Sequence, residues 1–143
     1  MLAGAFGFTT TNAGQHVGYQ GRPLACRLAD NKELLAYCEV LKALNRGTIE
    51  VALTNDVSRV SASERELLDL LLTASGRPVT WLALLNRDDD EHATQNTLTE
   101  VSDLIARGGI PQSTCRPFII QIDLRTPFIF ANINAKFYFI MYL

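Results

Sequence analysis

Four short polar stretches of this chain carry side chains able to bind or activate a small molecule: the loop around His16, Asn55-Asp56, Asn86-Arg87 and Cys115-Arg116. His16 lies between Gly14-Gln15 and Gly18. An imidazole there can act as ligand or base, because function gathers in loops held by a rigid scaffold, or it can simply pack the loop. Cys115 stands beside the Arg116 guanidinium, which favours a thiolate. With no evident histidine partner, a small buried apolar role is the expectation for this thiol. Arg116 offers five donors in a fixed fork, suited to a substrate carboxylate or to a structural ion pair. The run Asp88-Asp89-Asp90-Glu91 lacks the alternating ligands, the glycine and the distal Glu of a calcium loop. It reads as a solvated cluster at a helix start, where carboxylates complement the dipole. His92, among Asp90, Glu91, Thr94 and Gln95, reads as a surface residue.

Several chemistries lack their motifs. There is no GxGxxG or GxxxxGK[ST] for a nucleotide phosphate and no GxSxG nucleophile elbow. The 143 residues are 48% hydrophobic and 20% charged with a formal net charge of -2, the composition of one globular domain. Thirteen basic residues spread among fifteen acidic ones give no electrostatic footprint for nucleic acid. The three cysteines, Cys26, Cys38 and Cys115, have neither CxxC nor Cys/His spacing, so a reduced, cytoplasmic setting is expected and not a disulfide framework or zinc finger. The start, MLAGAFGFTTTNAG, has no basic segment ahead of an apolar one. The apolar run after Lys136 is seven residues, against the ~20 a membrane helix needs, so no membrane association is expected.

The elements that must position these side chains alternate. Gly4 to Thr10 reads as a strand leading into a long polar loop with Asn12, His16, Tyr19 and Arg22. Asp30-Asn31 caps a helix whose Leu34, Leu35, Tyr37, Cys38, Leu41 and Leu44 recur at spacings of three and four, stopping at Asn45-Arg46-Gly47. Thr48 to Leu53 is a strand. A second helix opens at Ser61, where Ser61 with Glu64 and Ser63 with Glu66 both fit a capping box, and closes at Gly76. Val79 to Leu85 is a strand; Thr97 to Arg107 a helix with Leu98, Val101, Leu104 and Ile105 on one face; Ile110 to Arg116 a last strand. Such alternation predicts an α/β fold with right-handed crossovers and a parallel sheet covered by helices. The apolar cores Ile49 to Leu53 and Val79 to Leu85 read as strands buried on both faces. In such sheets ligands bind at the carboxyl ends of the strands, where all four polar stretches fall.

Beyond the class, "GAFGFTTT" resembles a segment of the amidohydrolase branch that contains the N-acyl-D-amino-acid deacylases, and "GRPVTWLALLNRDDD" and "LIARGGIPQSTCRPFIIQIDLRTPF" resemble later strands and loops of that group. The resemblance extends from about Ala3 to Phe130. It implies a partial (β/α)8 TIM barrel over residues 1–130, a divergent apolar tail over 131–143, and a hydrolase of non-peptide carbon–nitrogen bonds in which zinc activates a water. The metal-binding HxH pair of the group is absent, and no histidine follows Leu53 or Leu85 at the strand ends. No metal ligand therefore carries over to this chain. A barrel needs ~250 residues, so the expectation is a fragment, inactive alone. Its small-molecule substrate would meet His16, Asn55, Asp56, Asn86 and Arg116 in a full-length parent. Unpaired strand edges predict self-association. The alternative is a non-catalytic open-sheet α/β binding module that unfolds cooperatively.

Overall fold

The chain sets its strands side by side in the order in which they occur: β1 (Gly7–Thr11), β2 (Thr48–Ala52), β3 (Val79–Leu84) and β4 (Gly109–Ser113) form one parallel sheet. Between them run α1 (Asn31–Leu44), α2 (Ala62–Ser75) and a two-part connection, α3 (Ala93–Glu100) and α4 (Ser102–Ala106). The computed structural model describes residues 1–53, 58–87, 89–115 and 119. The 131–143 tail and most of the stretch from Arg116 to Phe130 lie outside the described residues. The α/β class and the strand–helix alternation are as expected.

Local chemistry explains the helix ends. The Asp30 carboxylate accepts the Glu33 N–H at 2.9 Å, and Asn45 ends α1 in the left-handed region at φ 45°. Of the two capping boxes that fit the spacing, Ser61 with Glu64 is the one formed: the Glu64 carboxylate accepts the Ser61 N–H at 2.8 Å while Ser61 Oγ accepts the Glu64 N–H. Gly76, at φ 59°, closes α2 as its left-handed cap.

Several boundaries differ from expectation; β2 and β3 each end one residue early, at Ala52 and Leu84. The third helix starts at Ala93 rather than Thr97 and breaks at Val101, whose side chain is 1% exposed and whose backbone, at φ -105° and ψ 14°, leaves the helical region. Strand β1 begins at Gly7, where a Cβ would collide with the Thr48 carbonyl, so glycine permits the close approach of β2. Strand β4 stops at Ser113, two residues before Cys115.

Burial also corrects the reading of strands covered on both faces. Ile49, Val51, Leu53, Val79 and Trp81 point to one side, into a core with Leu34, Cys38 and Leu41 of α1, Leu68, Leu71 and Leu72 of α2, and Leu104 of α4. Each large aliphatic side chain buried there contributes roughly 1.5–3 kcal/mol. The intervening Glu50, Ala52 and Thr80 are only half-buried, and Leu82 and Ile110 are 37% and 51% exposed. The reason is topological. Right-handed crossovers between strands in sequential order carry each helix to the same face, so that among the described residues the other face has no helical layer. On that bare face Gln112 Nε2 donates to Thr80 Oγ1 at 2.8 Å and reaches Glu50 Oε1 at 3.4 Å, tying β2, β3 and β4 together. No helix among the described residues is long and apolar enough to cross a membrane.

Candidate functional site

The sheet is parallel, so the polar segments after its strands share one edge. At the end of β1, the hydroxyl of Thr11, 7% exposed, meets His16 Nδ1 at 2.8 Å and accepts the Ala13 N–H at 3.1 Å. It also lies 3.4 Å from the Ala52 carbonyl at the end of β2. The turn is closed by a bond from the His16 N–H to the Ala13 carbonyl at 3.1 Å, and the Asn12 N–H bonds to the same Ala52 carbonyl at 3.0 Å. Arg27, in a short 3-10 turn (Ala25–Leu28), donates from Nη1 to the His16 carbonyl at 3.1 Å. His16 is thus half-buried and oriented, fixed through both ring and backbone, at a strand's carboxyl end.

At the end of β3 a cluster of hydroxyls does the positioning. Ser58, 1% exposed, receives the Leu85 N–H on its Oγ at 2.6 Å, and the same Oγ sits against the Leu85 carbonyl. Thr97 Oγ1 donates to the Ser58 carbonyl at 2.5 Å, and Thr94 Oγ1 reaches the Leu85 carbonyl at 3.3 Å. Ser58 holds φ 57°, a left-handed conformation unusual for a residue with a side chain. Sequence reasoning missed this serine, because its partner Leu85 is twenty-seven residues away and nothing local marks it.

Asn86 is exposed at this edge. Arg87 grips Asp89 through Nε and Nη2 at 2.8 and 2.7 Å, holding that carboxyl below the ordinary aspartate value. Asp90 pairs with Arg59 at 3.3 Å, and Glu91 approaches His92, whose side chain is 75% exposed. The acidic run is therefore a solvated, ion-paired loop leading into α3, as expected; Asp88 lies outside the described residues. Cys115 is exposed, which corrects the expectation of a buried thiol: β4 ends before reaching it. Asn55, Asp56 and Arg116 lie outside the described residues.

A cavity of about 390 Å³ opens between the starts of α2 and α3, lined by Arg59, Ser61, Glu64, Asp90, Asn96 and Glu100. Its most buried carboxylate, Glu64 at 6% exposed, is occupied by the Ser61 N–H and hydroxyl, so helix capping accounts for it. Among the described residues no three His, Cys, Asp or Glu side chains gather as a metal-ligating group, and His16 Nδ1 is engaged by Thr11. The described residues alone do not fit a zinc site. No family model, curated protein or solved structure matches the chain.

Proposed function

We propose that the chain is part of a (β/α)8 barrel enzyme, a metal-dependent amidohydrolase that cleaves a non-peptide amide bond and resembles the N-acyl-D-amino-acid deacylases. One observation supports the barrel in this reading: four parallel strands in unbroken sequential order, with α1, α2 and α4 packed on one face among the described residues. A doubly wound open sheet reverses its strand order at a switch point and covers both faces, whereas a barrel keeps sequential order and turns its bare face inward. The Gln112–Thr80–Glu50 network then lies within the barrel interior. The substrate mouth is the strand edge bearing His16 and Asn86, joined by Asn55, Asp56 and Arg116, with Arg116 a candidate for the substrate carboxylate. Zinc, in this reading, is held by residues of other strands. Alone, the chain is inactive and associates through the edges of β1 and β4.

The test is to read the DNA flanking the coding region for a strand ending in HxH upstream and for further strands with an Asp downstream, then to assay the assembled parent on N-acetyl-D-amino acids with zinc. In-frame flanks and hydrolysis are expected; flanks without either feature reject the reading.

One observation favours the non-catalytic open-sheet module instead. In the phase set by the Val79 N–H to Gly108 carbonyl bond, Pro111 turns its nitrogen to the open edge of β4, where a next strand would find no donor. A monomer that unfolds in one cooperative transition would support this reading.

A further inference from the structure

We infer that His16 and Arg27 form a carboxylate-binding site at the end of β1, with Thr11 as the residue that positions the imidazole. The inference deepens the mouth described above and rests on that reading for its biological role. Its first support is a cation without an ion pair among the described residues. Arg27 is half-buried, yet among the described residues its side chain makes no ion pair, and the guanidinium bond recorded is from Nη1 to the His16 carbonyl. A guanidinium taken partly out of water without an anion is costly. With Nη1 engaged, the Nε and Nη2 side of the fork remains, the edge that takes a carboxylate through two parallel bonds.

The second support is the fixed setting of the His16 ring. Thr11 Oγ1 meets His16 Nδ1 at 2.8 Å, donates toward the Ala52 carbonyl at 3.4 Å and accepts the Ala13 N–H at 3.1 Å. The contact turns Nε2 away from Thr11, and that nitrogen donates to a ligand whenever it carries a hydrogen. Arg27 binds the carbonyl of His16 itself, so the guanidinium is held at the same residue as the ring.

The third support is the charge of the segment. Residues 1–29 contain His16, Arg22 and Arg27 and no Asp or Glu. The loop after β1 is thus wholly cationic in a chain whose net charge is negative. Two fork donors and one ring donor suit the two oxygens of a carboxylate; a phosphate dianion calls for more, usually from backbone N–H groups at a helix start.

The experiment is a titration of the full 143-residue chain, followed by ¹H–¹⁵N NMR of the His16 ring and the Arg27 guanidinium, with N-acetylglycine, the uncharged N-acetylglycinamide, or inorganic phosphate. N-acetylglycine should give saturable shifts at both side chains, weakened about ten-fold or more by Arg27→Gln and unchanged by Arg46→Gln, while the amide gives none. Thr11→Val should weaken binding and alter the ring nitrogen pattern, with Thr11→Ser restoring both. Equal saturation by acid and amide, tighter binding of phosphate, no saturable shift with N-acetylglycine, or an Arg27→Gln chain that binds like the native one would each overturn the site. None of these would touch the hydrolase reading, which fails separately if an assembled parent does not hydrolyse its amide substrates.

Discussion

The imidazole Nδ1 of His16 lies 2.8 Å from the hydroxyl of Thr11, the last residue of β1, so an irregular loop takes the orientation of its only histidine from a strand end. Thr11 is also the acceptor for the Ala13 N–H. Replacing it with Val leaves that donor without its partner and should cost about 1–3 kcal/mol in urea unfolding, with Ser recovering most of the loss. A Val variant as stable as the native chain would show that the loop is held by other means.

Helix α2 offers a paired comparison. Ser61→Ala should destabilise by about 1 kcal/mol, because the formed capping box and the buried Glu64 both depend on it. Ser63→Ala, which has the right spacing with Glu66 but no box, should stay within about 0.5 kcal/mol. Denaturation midpoints of the two variants check the order.

Ser58 combines a left-handed backbone with a buried hydroxyl that ties down Leu85. Ser58→Ala loses the hydroxyl and keeps the strain; Ser58→Gly loses the hydroxyl and relieves it. Alanine should therefore be the worse substitution by about 1 kcal/mol, an order that equilibrium unfolding would reverse if φ were free to relax.

Arg65 binds Asp103 at 2.7 Å and holds its carboxyl below the ordinary value of 3.8. A carboxyl whose value is depressed by folding stabilises the fold above its unfolded value, and the contribution is lost as pH falls through the folded one. The pair is exposed, so its effect is small and screened by salt. Arg65→Gln should lower the melting temperature slightly at neutral pH and low salt, with the difference vanishing at pH values well below 3.8. A difference that persists there would assign the effect to the Arg65 bond to the Glu100 carbonyl instead.

The thiols should react in order of access. Cys115 is exposed, Cys26 intermediate and Cys38 buried, with burial pushing the Cys38 thiol up. A thiol reagent should modify Cys115 first and Cys38 only at the rate of opening or unfolding, as peptide mapping over time would show. Early modification of Cys38 would mean that α1 detaches readily from the sheet.

What the sequence disclosed follows from the range of each interaction. Helices α1 and α2 were legible to the residue at several ends because Asp30, Ser61, Glu64 and Gly76 bond to neighbours a few positions away. The start of α3 was hidden: His92 supplies no side-chain cap, and Ala93–Thr97 shows no apolar repeat. Successive apolar residues such as Trp81-Leu82 suggested burial on both faces, but alternation says only which residues face opposite ways, not whether a layer covers each side. At the strand edge, placing His16, Asn86 and the acidic loop needed only the parallel order of the sheet. Recognising Arg27 and Ser58 needed contacts eleven and twenty-seven residues apart in the chain, and recognising Thr11 needed the fold of an irregular loop.

The sequential order of the strands has a consequence for how the chain assembles. Each strand pairs with the one made just before it, and no strand has to be threaded between two already joined. The loop closed at each step is one strand–helix unit, so the entropy of closure stays nearly constant as the sheet grows. During synthesis β1 waits only for β2 and β2 only for β3, so the growing edge of the sheet always meets the segment next to leave the ribosome.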